Sequence, residues 1–198
     1  DWQSDTYAVE LQNNNLTGFI NLNNCSYIRS LSVIDNTIDR ISIHKCENFE
    51  VLAAAKPYDD HTDINTIDIS ECNNLWSIQE PKKLEKLSIS KCNKLTSIDC
   101  SDSELKELSI IDCDALTILQ CPRNQLSTLN ISCSNLVNLD CSQNQLTKLD
   151  LENCPSLQYL NCMYNHILME VPDYFRNYGW NTVNYFSMDF RYDYAVFY

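Results

Sequence analysis

The spacing of the 11 cysteines constrains this chain more than any other feature. Seven of them, Cys25, Cys46, Cys72, Cys92, Cys113, Cys133 and Cys154, follow one another at steps of 21, 26, 20, 21, 20 and 21. The other four, Cys100, Cys121, Cys141 and Cys162, step by 21, 20 and 21, and each lies eight residues after a member of the first series. Cysteines placed to staple loops have no such arithmetic, so the two series mark two fixed places in a unit of about 21 residues. The chain is a tandem repeat.

Each unit reads in two halves. Leu116, Leu119, Cys121, Asn124 and Leu126 spell LxxLxCxxNxL, and Leu126, Leu129 and Ile131 spell LxxLxI before Cys133. Leu139-Asp140-Cys141 and Leu149-Asp150-Leu151 alternate apolar with polar, which predicts two short strands per unit with their apolar members facing one core. A single unit cannot bury that face alone, so successive coils must stack into a solenoid. Asn124, Asn144 and Asn165 recur where each coil bends, and an inward amide there can pair with buried loop backbone. The first cysteine series takes the equivalent place in the other half, where a small, weakly polar thiol fits a tight corner as a buried free thiol. No CxxC or HxxxH pair exists, and His44, His61 and His166 are scattered, so neither a metal site nor a catalytic cysteine is expected, nor any cofactor.

These motifs resemble the leucine-rich repeat proteins, whose conserved segment is LxxLxLxxNxL with Cys tolerated at its sixth and ninth positions. The full motif stands at residues 116–126, 136–146 and 157–167, and residues 95–105 carry Ser103 where Asn is usual. Upstream, Val33 and Ala54 replace the sixth-position cysteine, and Glu80-Pro81 interrupts the third coil. The alternating halves are similar to the nested bacterial repeats of surface proteins from gut Bacteroides-like bacteria. The resemblance covers about three quarters of the chain. It implies a right-handed, curved, mainly β solenoid of about seven coils. It also implies a location outside the cell or on the outer surface of a bacterium, an N-terminal signal having been removed before Asp1, and a protein-binding module. Its ligand face would be the outward side of the LxxLxC strands. The candidate binding residues there are Asp99, Ile118, Gln120, Asn138, Asp140, Tyr159, Asn161 and Met163. Ile118, Tyr159 and Met163 are the apolar anchors among polar neighbours such as Ser97, Ser101, Pro122 and Ser142.

Three segments follow: an N-terminal cap over 1–19, repeats over 20–167 and a C-terminal cap over 168–198. The last holds 11 of the 20 aromatic residues. Pro172, Asp173 and Gly179 predict a short helix, and 182–190 a strand, folded over the open end of the solenoid. The same aromatics supply an alternative reading, a glycan-binding surface protein; a structural spacer is a third. The step of 26 places a surface loop at 55–63, where Asp59, Asp60, His61 and Asp63 offer ligands to a cation such as Ca²⁺ without the DxDxDG spacing.

Composition narrows the classes further. A net charge of −13 opposes docking on nucleic acid or anionic lipid. With only Gly18 and Gly179, neither a Walker loop nor a GxGxxG turn can be written. No run of 18 apolar residues offers a membrane span. Asp99, Asp140 and Asp150 recur at the repeat period as a solvated face does, and no nucleophile elbow or Ser-His-Asp order accompanies them. The expectation is a monomeric, non-enzymatic interaction module.

Overall fold

A computed structural model of the chain describes residues 7–55, 63–80 and 82–167, and the backbone of 185–187. Numbered along the chain, its strands fall into two rows. Row one begins with the parallel sheet of β1 (Tyr7–Glu10), β3 (Ile28–Ser32), β5 (Val51–Ala53) and β7 (Ser77–Gln79). It resumes as a second parallel sheet of β9 (Ser97–Asp99), β11 (Ile118–Gln120), β13 (Asn138–Asp140), β14 (Tyr159–Asn161) and β15 (Tyr185–Ser187). Row two is one continuous sheet of β2 (Thr17–Asn23), β4 (Thr37–His44), β6 (Thr66–Ser70), β8 (Lys86–Ser90), β10 (Glu107–Ile111) and β12 (Leu129–Ser132). From β1 to β12 each coil thus gives one strand to each row, after which the strands among the described residues lie only in row one, and the chain is a β-solenoid of about seven coils repeating at about 21 residues. The described residues contain no helix, and so none long and apolar enough to cross a membrane.

Residues equivalent in the repeat are partners in the ladder. Leu87, Leu108 and Leu129 lie side by side across β8, β10 and β12, as do Ile89, Ile110 and Ile131. The 26-residue step does not disturb this register, because Ile41 pairs with Ile67 and Ile43 with Ile69; the surplus falls in 56–62, outside the described residues. Alternation decides the faces. In β6 and β8 every second residue is fully buried, and the inward Ile and Leu columns of the two rows meet in one core with Cys46, Cys72, Cys92, Cys113, Cys133 and Cys154.

Segments at the two ends have definite places. In the stretch read as an N-terminal cap, β1 and β2 add a strand to each row, with Val9, Leu11, Ile20 and Leu22 packed against the core. At the other end, β15 lies within the strand expected over 182–190 and pairs in parallel with β14. The helix expected after Pro172 lies outside the described residues. Leu149-Asp150-Leu151, expected as a strand, is not one. Asp150 Oδ1 accepts the Glu152 N–H at 3.1 Å, a local turn that competes with the ladder, while Leu151 remains buried.

The corners turn without glycine. Twelve described residues other than glycine have φ between 52° and 57°, the left-handed region. One set, Asn24, Lys45, Glu71, Lys91 and Asp112, stands immediately before a first-series cysteine. Another, Asp102, Arg123, Gln143 and Tyr164, stands two residues after a second-series cysteine. Each placement costs about 1–2 kcal/mol. Hydrogen bonds to the next coil offset it: Lys45, Glu71 and Lys91 donate their N–H groups to Ser70, Ser90 and Ile111 at 3.0 Å.

Inside the second set of corners runs an asparagine ladder. Asn144 Nδ2 donates to the carbonyls of Cys121 (2.9 Å), Cys141 (3.1 Å) and Ser142 (3.2 Å), and its Oδ1 accepts the Leu126 N–H (3.0 Å). Asn124 and Asn165 repeat this pattern one coil before and one after. Asn36 is a fourth member: its amide reaches Leu11 and Val33 and accepts from Leu16.

Between Asn36 and Asn124 the sequence places Pro57, Lys83 and Ser103 at the ladder position instead; in the third coil Glu80 stands at the inward position occupied elsewhere by Val33, Ala54 or cysteine, and Lys83 is exposed at the place of the asparagine. Row one divides here. The residue after Glu80 is Pro81, which lacks a backbone donor. Burial, reinforced by the nearby Asp99 carboxylate, pushes the Glu80 carboxyl up to about 8.

Two consequences can be measured. Asn144→Ala leaves the Leu126 N–H without a partner inside the corner and removes one of the two amide donors to the Cys121 carbonyl, the other being Asn124, and is expected to cost about 1–3 kcal/mol by chemical denaturation. Between pH 4.5 and about 8 the unfolded chain ionises Glu80 while the folded one keeps the proton, so stability falls as pH rises through that window. Glu80→Gln is accordingly expected to gain about 2 kcal/mol at pH 8, allowing for partial exposure, and nothing at pH 4.

Candidate functional site

The outward face of the second row-one sheet brings seven of the eight candidate residues into two columns, and the eighth, Met163, follows β14 in the chain. Ladder pairing sets Ser97, Ile118, Asn138 and Tyr159 side by side in one, and Asp99, Gln120, Asp140 and Asn161 in the other. Ile118 is 37% exposed, Asp99 is exposed, and Gln120, Asn138, Asp140, Tyr159, Asn161 and Met163 are half-buried. Pro122 and Ser142, which the motif places outward, are buried in the corner instead.

The acidic column is partly architectural. Asp99 accepts the Ser101 N–H (3.1 Å), Asp140 the Ser142 N–H (2.9 Å) and Asn161 the Met163 N–H (3.3 Å), so each short polar side chain closes the turn that follows its strand. The exception fits the rule: where the turn residue is Pro122, with no N–H to satisfy, the column carries Gln120. Asn161 Nδ2 also donates to Asp140 Oδ2 across coils at 3.0 Å. In the other column the Oδ1 of Asn138 is shielded from water and has no hydrogen-bond partner. It lies between Ile118 and Tyr159 in the column, and such an acceptor carries a cost of about 1–3 kcal/mol while unpaired.

Several exposed apolar residues lie beyond the motif columns. Tyr164, 49% exposed, follows Met163, and Trp76, 57% exposed, opens β7. Tyr164 sits in a left-handed corner, which repeat arithmetic locates but whose occupant it does not select.

Row two holds a grouping that sequence order conceals. His44 Nε2 lies 2.8 Å from Ser42 Oγ and its Nδ1 2.5 Å from Ser70 Oγ, with Asp68 Oδ2 3.8 Å from Nε2. All four stand on the outward face of adjacent strands β4 and β6. The strand N–H groups around them run along the sheet into the ladder, so none aims at a carbonyl resting on the hydroxyls. Further along the same face a shallow cavity of about 680 Å³ has Ser88, Ser109 and Asn130 on its floor. At its rim Lys86 pairs with Glu107 (2.5 Å) and Lys106 with Glu85 (2.8 Å).

The cysteines are free, and ten of the eleven are buried; Cys25 is half-buried. In the first series the thiols of Cys46, Cys72 and Cys92 donate at 3.4 Å to the carbonyl two residues back. Burial pushes Cys72 and Cys162 up to about 11 and Cys133 to about 12. The described residues contain no group of three or more His, Cys, Asp or Glu side chains placed to hold a metal ion. The cation candidate around Asp59, Asp60 and His61 lies outside the described residues. No family model, curated protein or solved structure matches the chain.

A native sample at pH 8 is expected to release one thiol, Cys25, quickly to a thiol reagent, and all 11 only in denaturant, without prior reduction. The raised thiols also predict alkaline lability. The unfolded chain loses these protons near pH 9 and the folded one only at about 11–12, so stability should decline across that window in denaturation curves taken at successive pH values.

Proposed function

We propose that this chain is a non-catalytic interaction module of a secreted or cell-surface protein, leucine-rich repeat in kind, that takes a protein partner on the outward face of β9, β11, β13 and β14. The observation that carries this reading is the in-register column of Ile118, Asn138 and Tyr159 on the outward face of adjacent strands. An exposed aliphatic, an amide with an unused hydrogen-bonding atom and an aromatic, held in line on a rigid sheet, make the small apolar centre with a polar handle that anchors protein interfaces. Met163 and Tyr164 extend this centre toward the end of the coil, while Asp99 and Asp140 border it with negative charge. A net charge of −13 favours a partner whose contact surface is basic, with association that slows as salt rises.

The buried thiols are compatible with a place outside the cell. Their raised pKa values keep them as unreactive thiols in an oxidising medium, so an extracellular fold need not convert them to disulfides.

A photo-crosslinking residue at position 159 should capture the partner, and the same residue at Ser109 on row two should not. The double substitution Tyr159→Ala with Met163→Ala is then expected to weaken the captured partner by about 2 kcal/mol or more without lowering the melting temperature. Unchanged affinity in that variant would remove this face from the interface.

A further inference from the structure

A trough runs along the solenoid axis over the corners that follow row two, and it has no part in the reading above. Its first rail is the left-handed set Asn24, Lys45, Glu71, Lys91 and Asp112, one residue from each coil. Its second rail, two residues further on in the chain, includes Asn73, Asn93 and Asp114. The volume is about 640 Å³, and five coils at the strand spacing give a length of about 19 Å.

Three properties of the trough bear on what it can hold. The first is its repeat. Each coil sets its polar groups one strand spacing, about 4.8 Å, from the next, and backbone bonds of 2.9–3.0 Å from each first-rail N–H to the following coil hold that spacing rigidly. A pyranose linked through opposite ends of its ring advances by about one such spacing and turns over at each link, so each coil meets one sugar and alternate coils meet the same edge. An extended peptide advances by about 3.3 Å per residue and falls out of step.

The second is side-chain chemistry. Carboxylates and amides offer two polar atoms in one plane, which suits the neighbouring hydroxyls of a sugar. Lys45 and Lys91, with Glu71 and Asp112 on the same rail, make no ion pair among the described residues, whereas similarly spaced charges close into pairs at Lys86–Glu107 and Lys106–Glu85. These four charged side chains therefore keep hydrogen-bonding capacity for something else, while on the second rail Asn93 Nδ2 donates to Asn73 Oδ1 at 3.2 Å and Asp114 Oδ1 accepts from Ser134 Oγ at 2.9 Å. Lys45 and Lys91 against Glu47, Glu71, Asp112 and Asp114 leave a net charge of −2, which repels acidic polymers.

The third is exposed aromatic surface further along two of the same corner segments, outside the trough's own lining. Tyr27, 48% exposed, lies three residues after Asn24, and Trp76, 57% exposed, three residues after Asn73. Each offers an apolar ring with a polar edge, on which the C–H face of a sugar can stack.

We infer that this trough binds a linear oligosaccharide without acidic groups, laid along the solenoid axis. The test titrates the protein calorimetrically with cellohexaose, N-acetylchitohexaose and mannohexaose, with the matching disaccharides, with polygalacturonate and with a lysine-rich decapeptide. At least one neutral hexasaccharide should bind, at least tenfold more tightly than its disaccharide because it occupies more coils, and polygalacturonate should not. Asn73→Ala with Asn93→Ala should weaken that hexasaccharide at least tenfold at an unchanged melting temperature; both side chains are exposed and neither backbone is left-handed. Failure of every hexasaccharide to bind at millimolar concentration, or equal binding by the double variant, would overturn the inference. Binding of the decapeptide alone, lost in the variant, would overturn it in favour of a basic peptide. Because the trough and the row-one face share no residue, neither result bears on the protein-partner proposal.

Discussion

The backbone ladder between successive coils is what the rest of this protein rests on, and it requires coils of nearly constant length. With side chains alternating between core and solvent, a slip of one residue would turn an inward Ile column outward. The chain keeps register in two ways. Coils of 20 or 21 residues place like on like, and the one long step loses its surplus in a segment apart from the strands, so that Ile41 still meets Ile67. Charges add specificity, since Arg29–Glu50, Lys86–Glu107, Lys106–Glu85 and Arg123–Asp102 all join residues 21 apart. Exposed pairs of this kind contribute little to stability, but a coil slipped by one residue would break them all and set Lys86 against Lys106 or Glu85 against Glu107.

Corners built without glycine have structural and functional sides. A left-handed Lys, Glu or Arg is strained where glycine would be relaxed, yet glycine would loosen the unfolded chain and present no side chain. Here the strain is held by cross-coil hydrogen bonds and the side chains are displayed in lines one strand apart. That regularity gives the trough its repeat. On row one the same in-register stacking aligns Ile118, Asn138 and Tyr159. Both surfaces belong to neighbouring coils, and no coil carries either by itself.

Much of the architecture was legible in the residues, and for a local reason. Cysteine steps gave the unit, alternation gave the strand and its inward face, and the asparagine at the bend announced a buried amide that Asn124, Asn144 and Asn165 all supply. Asn36 was legible too, since Leu31, Val33, Asn36 and Ile38 follow the motif with Val at its sixth position. Leu149–Leu151 shows the limit: its alternation suits a strand, but the Asp150 side chain offers its own backbone a competing turn. The outward columns were legible as positions, not as environments, and so the burial of Pro122 and Ser142 and the unpaired oxygen of Asn138 could not be read in advance.

The sequence by itself determined the solenoid, its two strands per coil and the residues facing the core, because a period is a local property that survives in any stretch longer than one unit. Tertiary structure alone decided that His44 sits between Ser42 and Ser70, and which charges pair and which line the trough. The cross-coil partners in these arrangements lie about 20 to 26 residues apart and meet only when coils stack. Distance along the chain says that they meet; rotamer, burial and the neighbouring side chain decide what they do there.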